Sequence, residues 1–195
     1  MTRKKVLHVG CGPRQSGIIH PLFESACWKE IRLDIDPGVD PDIVASITQM
    51  DPIEDASMDA VYSSHNLEHL YHHEVDICLK EFLRVLKPGG FALIAVPNLK
   101  QVAALIADDK LDVPAYQSPA GPIFPLDMVY GFRPAVAGGN TYMAHKMGFT
   151  PKSLGQALID AGFAWARWAE DSAFGLWIKG YKIQPSKEIT DQPLW

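Results

Sequence analysis

At 195 residues the chain is long enough for one well-buried domain and short for two, and 47% hydrophobic with 21% charged residues is ordinary for a globular protein. A net charge of −5 argues against a nucleic-acid-binding surface, which is usually basic. Cys11, Cys27 and Cys78 are odd in number and lack C-x-x-C spacing, so neither a disulfide framework nor a zinc ribbon is indicated and a reducing cytoplasm fits; apolar runs such as Phe91 to Val96 are too short for a membrane span, and Val6 to Val9 is too short for a signal-peptide core.

The chain begins with a short apolar strand, Val6 to Val9, that runs straight into the turn Gly10-Cys11-Gly12-Pro13. Glycines there let the backbone bend sharply and approach a ligand that a Cβ would keep away. The segment Gly17 to Ser25 reads as a short helix with Pro21 near its start, and Glu30 to Asp34 as a second strand. Asp34 follows Gly12 at about the roughly 20-residue offset at which a carboxylate meets the ribose hydroxyls of a nucleotide-like cofactor. The next glycine after the pair is Gly17, so the G-x-G-x-x-G dinucleotide fingerprint is broken. A looser turn that holds an adenosyl group without a pyrophosphate fits better.

Asp42 to Ala45 and Asp59 to Ser64 are expected as third and fourth strands. Val75, Leu79, Phe82 and Leu86 then recur as one apolar stripe, which predicts a helix over 75–86 with its charged residues on the solvated side. Lys87-Pro88-Gly89-Gly90 is expected to stop that helix, and Phe91 to Val96 to form a buried fifth strand. Strands alternating with helical crossovers imply a parallel, doubly wound α/β sheet in a single domain over 1–195.

From Pro97 the texture changes. Leu99 to Asp108 suits a helix, and prolines, glycines and five aromatics then mix as far as Tyr142. A connection this long inside a compact domain is often functional, so 98–148 is read as a lid or substrate-binding insertion; its aromatic content argues against a disordered linker. Thr150-Pro151 starts a helix that ends at Gly162, and Ala164 to Ala169 with Phe174 to Tyr181 reads as an antiparallel hairpin. The tail from Gln184 is expected to be peripheral, with Trp195 able to dock.

In this order the segments resemble class I S-adenosylmethionine-dependent methyltransferases, and among them the type 11 group. The resemblance is carried by Leu7-His8-Val9-Gly10-Cys11-Gly12, Leu33-Asp34-Ile35-Asp36-Pro37, Met58-Asp59-Ala60-Val61-Tyr62, His65-Asn66-Leu67-Glu68-His69-Leu70 and Leu83-Arg84-Val85-Leu86-Lys87-Pro88-Gly89-Gly90, with Gly148-Phe149-Thr150 and Ala161-Gly162-Phe163 near the end. It implies a Rossmann-like seven-stranded sheet, mostly parallel with an antiparallel last strand, and helices on both faces. It also implies roles. Gly10, Cys11 and Gly12 would pass beneath the methionine part of S-adenosylmethionine, Asp34 would hold the ribose diol with Asp36 in reserve, and Ile35 would flank the adenine. Ser46, Ile47, Thr48 and Gln49 would cover the adenine edge, and Ser64 and His65 would line the site. Two positions depart from the pattern: His8 stands where an acidic residue usually serves the cofactor's ammonium group, and an aspartate is usual near Ser46.

The cofactor's methyl group is already activated, so the protein's tasks are alignment and exclusion of water, and no fixed catalytic triad is expected. A general base is needed only where the acceptor must lose a proton. The candidates are His65, His69, His145, Asp127 and Tyr130, with His65 and His145 put forward as catalytic. The expected acceptor is a small organic molecule. His65 to His69 also spells the H-x-x-E-H signature of inverted zinc peptidases, which would need both histidines one helical turn apart and a distal ligand such as Glu170 or Glu188. Because Val61 to Ser64 reads as a strand ending at a pocket, no metal ligand is assigned. A non-catalytic scaffold of the same fold and a nicotinamide oxidoreductase stand as further alternatives.

Overall fold

The computed structural model describes residues 2–15, 19–191 and 194. Nine strands and six α-helices follow in chain order among them. They are β1 (Lys4–Val9), β2 (Trp28–Asp34), β3 (Ile43–Val44), β4 (Met58–Ser64), α1 (His72–Val85), β5 (Leu86–Pro97), α2 (Leu99–Ala107), β6 (Tyr116–Ser118), β7 (Gly121–Ile123), α3 (Pro125–Tyr130), α4 (Arg133–Ala137), α5 (Pro151–Ala161), β8 (Trp165–Glu170), β9 (Gly175–Tyr181) and α6 (Lys187–Thr190). Seven strands form one sheet in the order β3-β2-β1-β4-β5-β9-β8. All pairings are parallel except those of β9, which runs antiparallel to both β5 and β8. The expected sheet, with its reversed last strand, is therefore present.

Helix α1 forms because its apolar residues share one face: Val75, Cys78, Leu79, Phe82 and Val85 are all buried. They meet Leu154, Leu158 and Ala161 of α5 and the side chains Ala92, Ile94 and Val96 of β5, so both helices lie on one face of the sheet. Lys182 Nζ donates to the carbonyls of Leu83 and Leu86 at 2.7 and 2.6 Å, which satisfies the end of α1 where no further turn follows. The chain passes from helix to strand at Leu86 itself. The segment 87–90, expected as a turn, is already part of β5, with Met58 paired to Leu86 and a register shift before Ala60.

The opposite face is covered differently. The expected helix over 17–25 is a single 3-10 turn, Pro21–Phe23, within the described residues, and Gly17 lies outside them. Two prolines, Pro13 and Pro21, bracket this crossover, and proline breaks any helix that contains it beyond its first turn. Phe23 packs there with Val6, Ala60, Tyr62 and Leu93. The C-terminal tail closes the rest: Arg167 Nη1 donates to Thr190 O at 3.0 Å, Lys179 Nζ to Leu194 O at 3.5 Å, and Leu194 is buried. Trp195 lies outside the described residues.

The segment 98–148 is structured. It holds α2, the β6–β7 hairpin, α3, α4 and a 3-10 turn at Thr141–Met143. Asp127 caps α3 by accepting from Phe124 N at 3.0 Å and from Arg133 Nε at 2.7 Å, which ties α3 to α4. The segment leaves and rejoins the sheet at one place, where Asn98 bridges Phe149 and Leu99 N donates to Phe149 O at 2.9 Å.

Candidate functional site

Strand order reverses between β1 and β4, and in such sheets ligands bind outside the carboxyl ends of the strands at that switch. A cavity of about 680 Å³ lies there. Gly10, Gly12, Pro13, Asp34 and Ile35 line its first side, Ala45 to Thr48 its second, and His65, Asn66, His69 and Leu70 the end of β4. Asn140, Tyr142, Met143 and Lys146 reach it from the 98–148 segment.

The two glycines of the first turn do different work. Both have positive φ, +56° and +59°. A Cβ on Gly10 would collide with the side-chain amide of Asn66, whose Nδ2 donates to Val9 O at 2.8 Å; a Cβ on Gly12 would project into open space. Gly12 therefore leaves room where a ligand can come against the backbone. Asp34 accepts from Gly12 N and Asp36 N, both at 3.0 Å, one on each oxygen. A carboxylate offers about four lone-pair sites, so Asp34 keeps capacity for a diol. Asp36 lines the same cavity, while its Oδ1 accepts from Gly38 N.

Cys11 is buried beneath the turn, and burial pushes its thiol up to about 11, leaving it a protonated packing group. Arg32 was not singled out by sequence, although a charge inside a strand is a signal. It is 4% exposed, and its Nη2 donates to the carbonyls of Cys11 and Gly12 at 3.2 and 2.6 Å, so it braces the turn from below.

His8 is not among the residues lining the cavity. It points to the other face of the sheet, where Nδ1 meets Glu30 Oε1 at 2.7 Å and the ring packs 4.9 Å from that of Tyr62. Burial holds the imidazole below its ordinary value against the pull of Glu30. Alternation along β1 sends Leu7 and Val9 to one face and His8 to the other. Ser46, Ile47 and Ile35 line the cavity, whereas Ser64 and Gln49 do not. Ser46 Oγ pairs with Thr48 Oγ1 at 2.7 Å, and Gln49 turns to Asp51.

Beyond β4, His65 sits with φ of +53°, a backbone conformation that side chains rarely adopt and that recurs at functional sites. Its Nδ1 meets Glu68 Oε1 at 3.2 Å. Burial opposes charge on His65, but the bond to Glu68 and its negative charge outweigh this and hold the ring above its ordinary value. Residues 67–69 form a 3-10 turn rather than an α-helix, so His65 and His69 do not stand one α-turn apart as the peptidase signature requires. Glu170, the suggested distal ligand, instead binds Asn98 and Gln101. His145 lies behind His69, ring centroids 4.9 Å apart, and is not among the lining residues. Asp127 is committed to Arg133, and Tyr130 is 64% exposed outside the cavity. Asn66, Asn140, Tyr142 and Lys146 are lining residues that sequence reading missed. Asn66 sat inside a quoted motif, but nothing local to Asn140 or Lys146 marks them.

A switch-point cavity with a bare glycine turn facing an acidic strand end, in this strand order, defines the class I S-adenosylmethionine-dependent methyltransferase fold. Residues 7–94 match the family model described as a methyltransferase domain. A probable S-adenosylmethionine-dependent methyltransferase of Mycolicibacterium smegmatis is 31% identical over 104 residues, which cover 49% of this chain and 38% of that one. The chain thus spans well under half the length of this curated relative. Among solved structures, a methyltransferase from Methanosarcina mazei shares the fold with a TM-score of 0.60 at 17% identity, covering 94% and 95% of the two chains. The Burkholderia thailandensis 1,6-didemethyltoxoflavin-N1-methyltransferase, solved with its substrate and S-adenosylhomocysteine, has a TM-score of 0.54 at 16% identity over 94% of this chain and 72% of that one. S-adenosylmethionine is the cofactor named for the Mycolicibacterium smegmatis relative, and S-adenosylhomocysteine is bound in the Burkholderia thailandensis enzyme. No helix among the described residues is long and apolar enough to cross a membrane.

Proposed function

We propose that the protein transfers a methyl group from S-adenosylmethionine to a small organic acceptor enclosed between the strand ends and the 98–148 segment. The observation that carries this is one cavity lined both by Gly12 and Asp34 and by Asn140, Tyr142, Met143 and Lys146. The residues fit the cofactor. The space above Gly12 takes the chain that any Cβ would displace, the remaining lone pairs of Asp34 accept the ribose hydroxyls, and Ile35 and Ile47 flank the adenine. When bound, the cofactor supplies an electrophilic methyl group.

The protein's share is orientation, for which well-held reactants gain roughly 7–11 kcal/mol. The 98–148 segment acts as a lid that excludes water over the acceptor. Lys146 is fixed at 4.6 Å over the Tyr71 ring, placing a cation beside the acceptor end. His65 offers its remaining nitrogen, Nε2, to hold the acceptor, since Nδ1 is engaged by Glu68. His145 acts at one remove, behind His69.

Titration calorimetry with S-adenosylhomocysteine tests the reading. The wild-type chain should bind, and Asp34→Ala should abolish binding while the fold, followed by circular dichroism, persists. Equal binding by the variant would remove the assigned site.

A further inference from the structure

We infer that Glu68, His69 and His145 form a site for one divalent transition-metal ion of the zinc type, built where the 98–148 segment rejoins the sheet. One candidate ligand atom from each of the three lies within 4.8 Å of the others. Zinc bonds of about 2.0–2.2 Å place tetrahedral ligand atoms about 3.4 Å apart, so side-chain shifts on the order of an ångström close the cluster. The backbone already holds the parts together. Lys146 N and Met147 N both donate to Glu68 O, at 2.8 and 3.1 Å, and His145 N donates to Tyr130 O at 3.1 Å.

The hydrogen bonds fix the tautomers. His69 Nδ1 meets Ala144 O at 3.1 Å and His145 Nδ1 meets Met128 O at 3.0 Å. A carbonyl only accepts, so each Nδ1 carries the proton and each Nε2 keeps a lone pair, the form in which histidine ligates metals. Glu68 supplies the third donor. Its side chain is 1% exposed, His65 engages Oε1, and Oε2 is buried with no hydrogen-bond partner. A buried carboxylate oxygen without a donor is costly unless something positive completes it. His65 on the far oxygen is the outer-shell partner that orients a ligating carboxylate.

Two imidazoles and one carboxylate suit zinc and its neighbours; magnesium and calcium prefer oxygen donors alone. Three protein ligands leave a coordination position open. His69 lines the cavity, so that position faces the acceptor end, where an acceptor oxygen would occupy it. Only this last assignment rests on the methyltransferase reading. The set differs from the peptidase signature, in which His65 and His69 would both be ligands and Glu68 the base.

The 195-residue chain, stripped with a chelator, should take up one equivalent of Co2+, with the intense visible absorption of a four- or five-coordinate site, and Zn2+ should displace it. Mg2+ should give no response. Glu68→Gln and His145→Gln should each weaken Zn2+ binding by more than about 100-fold, beyond the loss typical of an outer-shell partner. No stoichiometric uptake by the wild-type chain, or only the faint spectrum of hydrated Co2+, would overturn the site, as would variants that bind Zn2+ equally well. Should the variants unfold, the wild-type cobalt spectrum still decides. Metal uptake without S-adenosylhomocysteine binding would leave the site standing and remove the proposed activity.

Discussion

Gly10 and Gly12 are two residues apart and share a backbone conformation, yet alanine should affect them unequally. A non-glycine residue in the left-handed region costs about 1–2 kcal/mol, and this applies to both. At Gly12 the added methyl meets nothing, so Gly12→Ala should cost only that strain. At Gly10 the methyl falls on the Asn66 amide, which must swing away and give up its 2.8 Å bond to Val9 O. That adds about 0.5–1.5 kcal/mol for the bond, plus displacement of a packed side chain, for a total of roughly 2–4 kcal/mol. Urea unfolding followed by circular dichroism should therefore rank Gly10→Ala below Gly12→Ala by at least about 1 kcal/mol. In an Asn66→Ala background the collision is gone, and Gly10→Ala should cost no more than Gly12→Ala, a coupling of about 1 kcal/mol or more. Calorimetry should show the reverse order for function, with Gly12→Ala weakening S-adenosylhomocysteine because its methyl enters the cavity. Equal destabilisation by the two alanines, or strict additivity with Asn66→Ala, would refute the placement of Asn66 over the turn.

Arg84 binds Glu81, Asp55 and the carbonyls of Met50 and Ile53, so it fastens the loop before β4 to α1. Lysine cannot reproduce that fork, and Arg84→Lys should lose about 1.5–3 kcal/mol in chemical denaturation. Burial would raise the Asp127 carboxyl, but hydrogen bonds from Phe124 and Arg133 outweigh it and hold it below its ordinary value. Its stabilisation is therefore full above the unfolded value of about 3.9 and disappears as pH falls through the depressed one. Hydrogen exchange in α3 and α4 should speed up in that acid window in the wild type, while Asp127→Asn should already exchange faster at neutral pH. Cys27 is exposed whereas Cys11 and Cys78 are buried. A thiol reagent should accordingly titrate one cysteine in the native protein and three after unfolding.

What was legible in the sequence was whatever a single segment dictates by itself. The stripe Val75, Leu79, Phe82 and Leu86 has only one way to bury its apolar side, and Phe91 to Val96 is buried on both faces, so both elements stand as expected. Asp34 could be placed by its offset from Gly12 because both lie at the ends of adjacent paired strands. What failed depended on neighbours. Strand alternation and the registered position of β2 give His8 Glu30 as partner, which its own segment does not announce. The expected helix over 17–25 was overridden by prolines and by a face small enough for Phe23 to cover. Asn140, Tyr142, Met143 and Lys146 reach the cavity only because Asn98 and Phe149 bring both ends of a long segment back to one point. No local pattern encodes that return.

That common root has a further consequence. A chain excursion whose ends are bonded to each other can be exchanged for another of different length with little effect on the platform beneath it, since doubling a loop adds only about 0.6 kcal/mol of closure entropy. A graft between residues 98 and 149 should accordingly transplant chemical preference from one such protein to another and leave the sulfonium-binding half untouched.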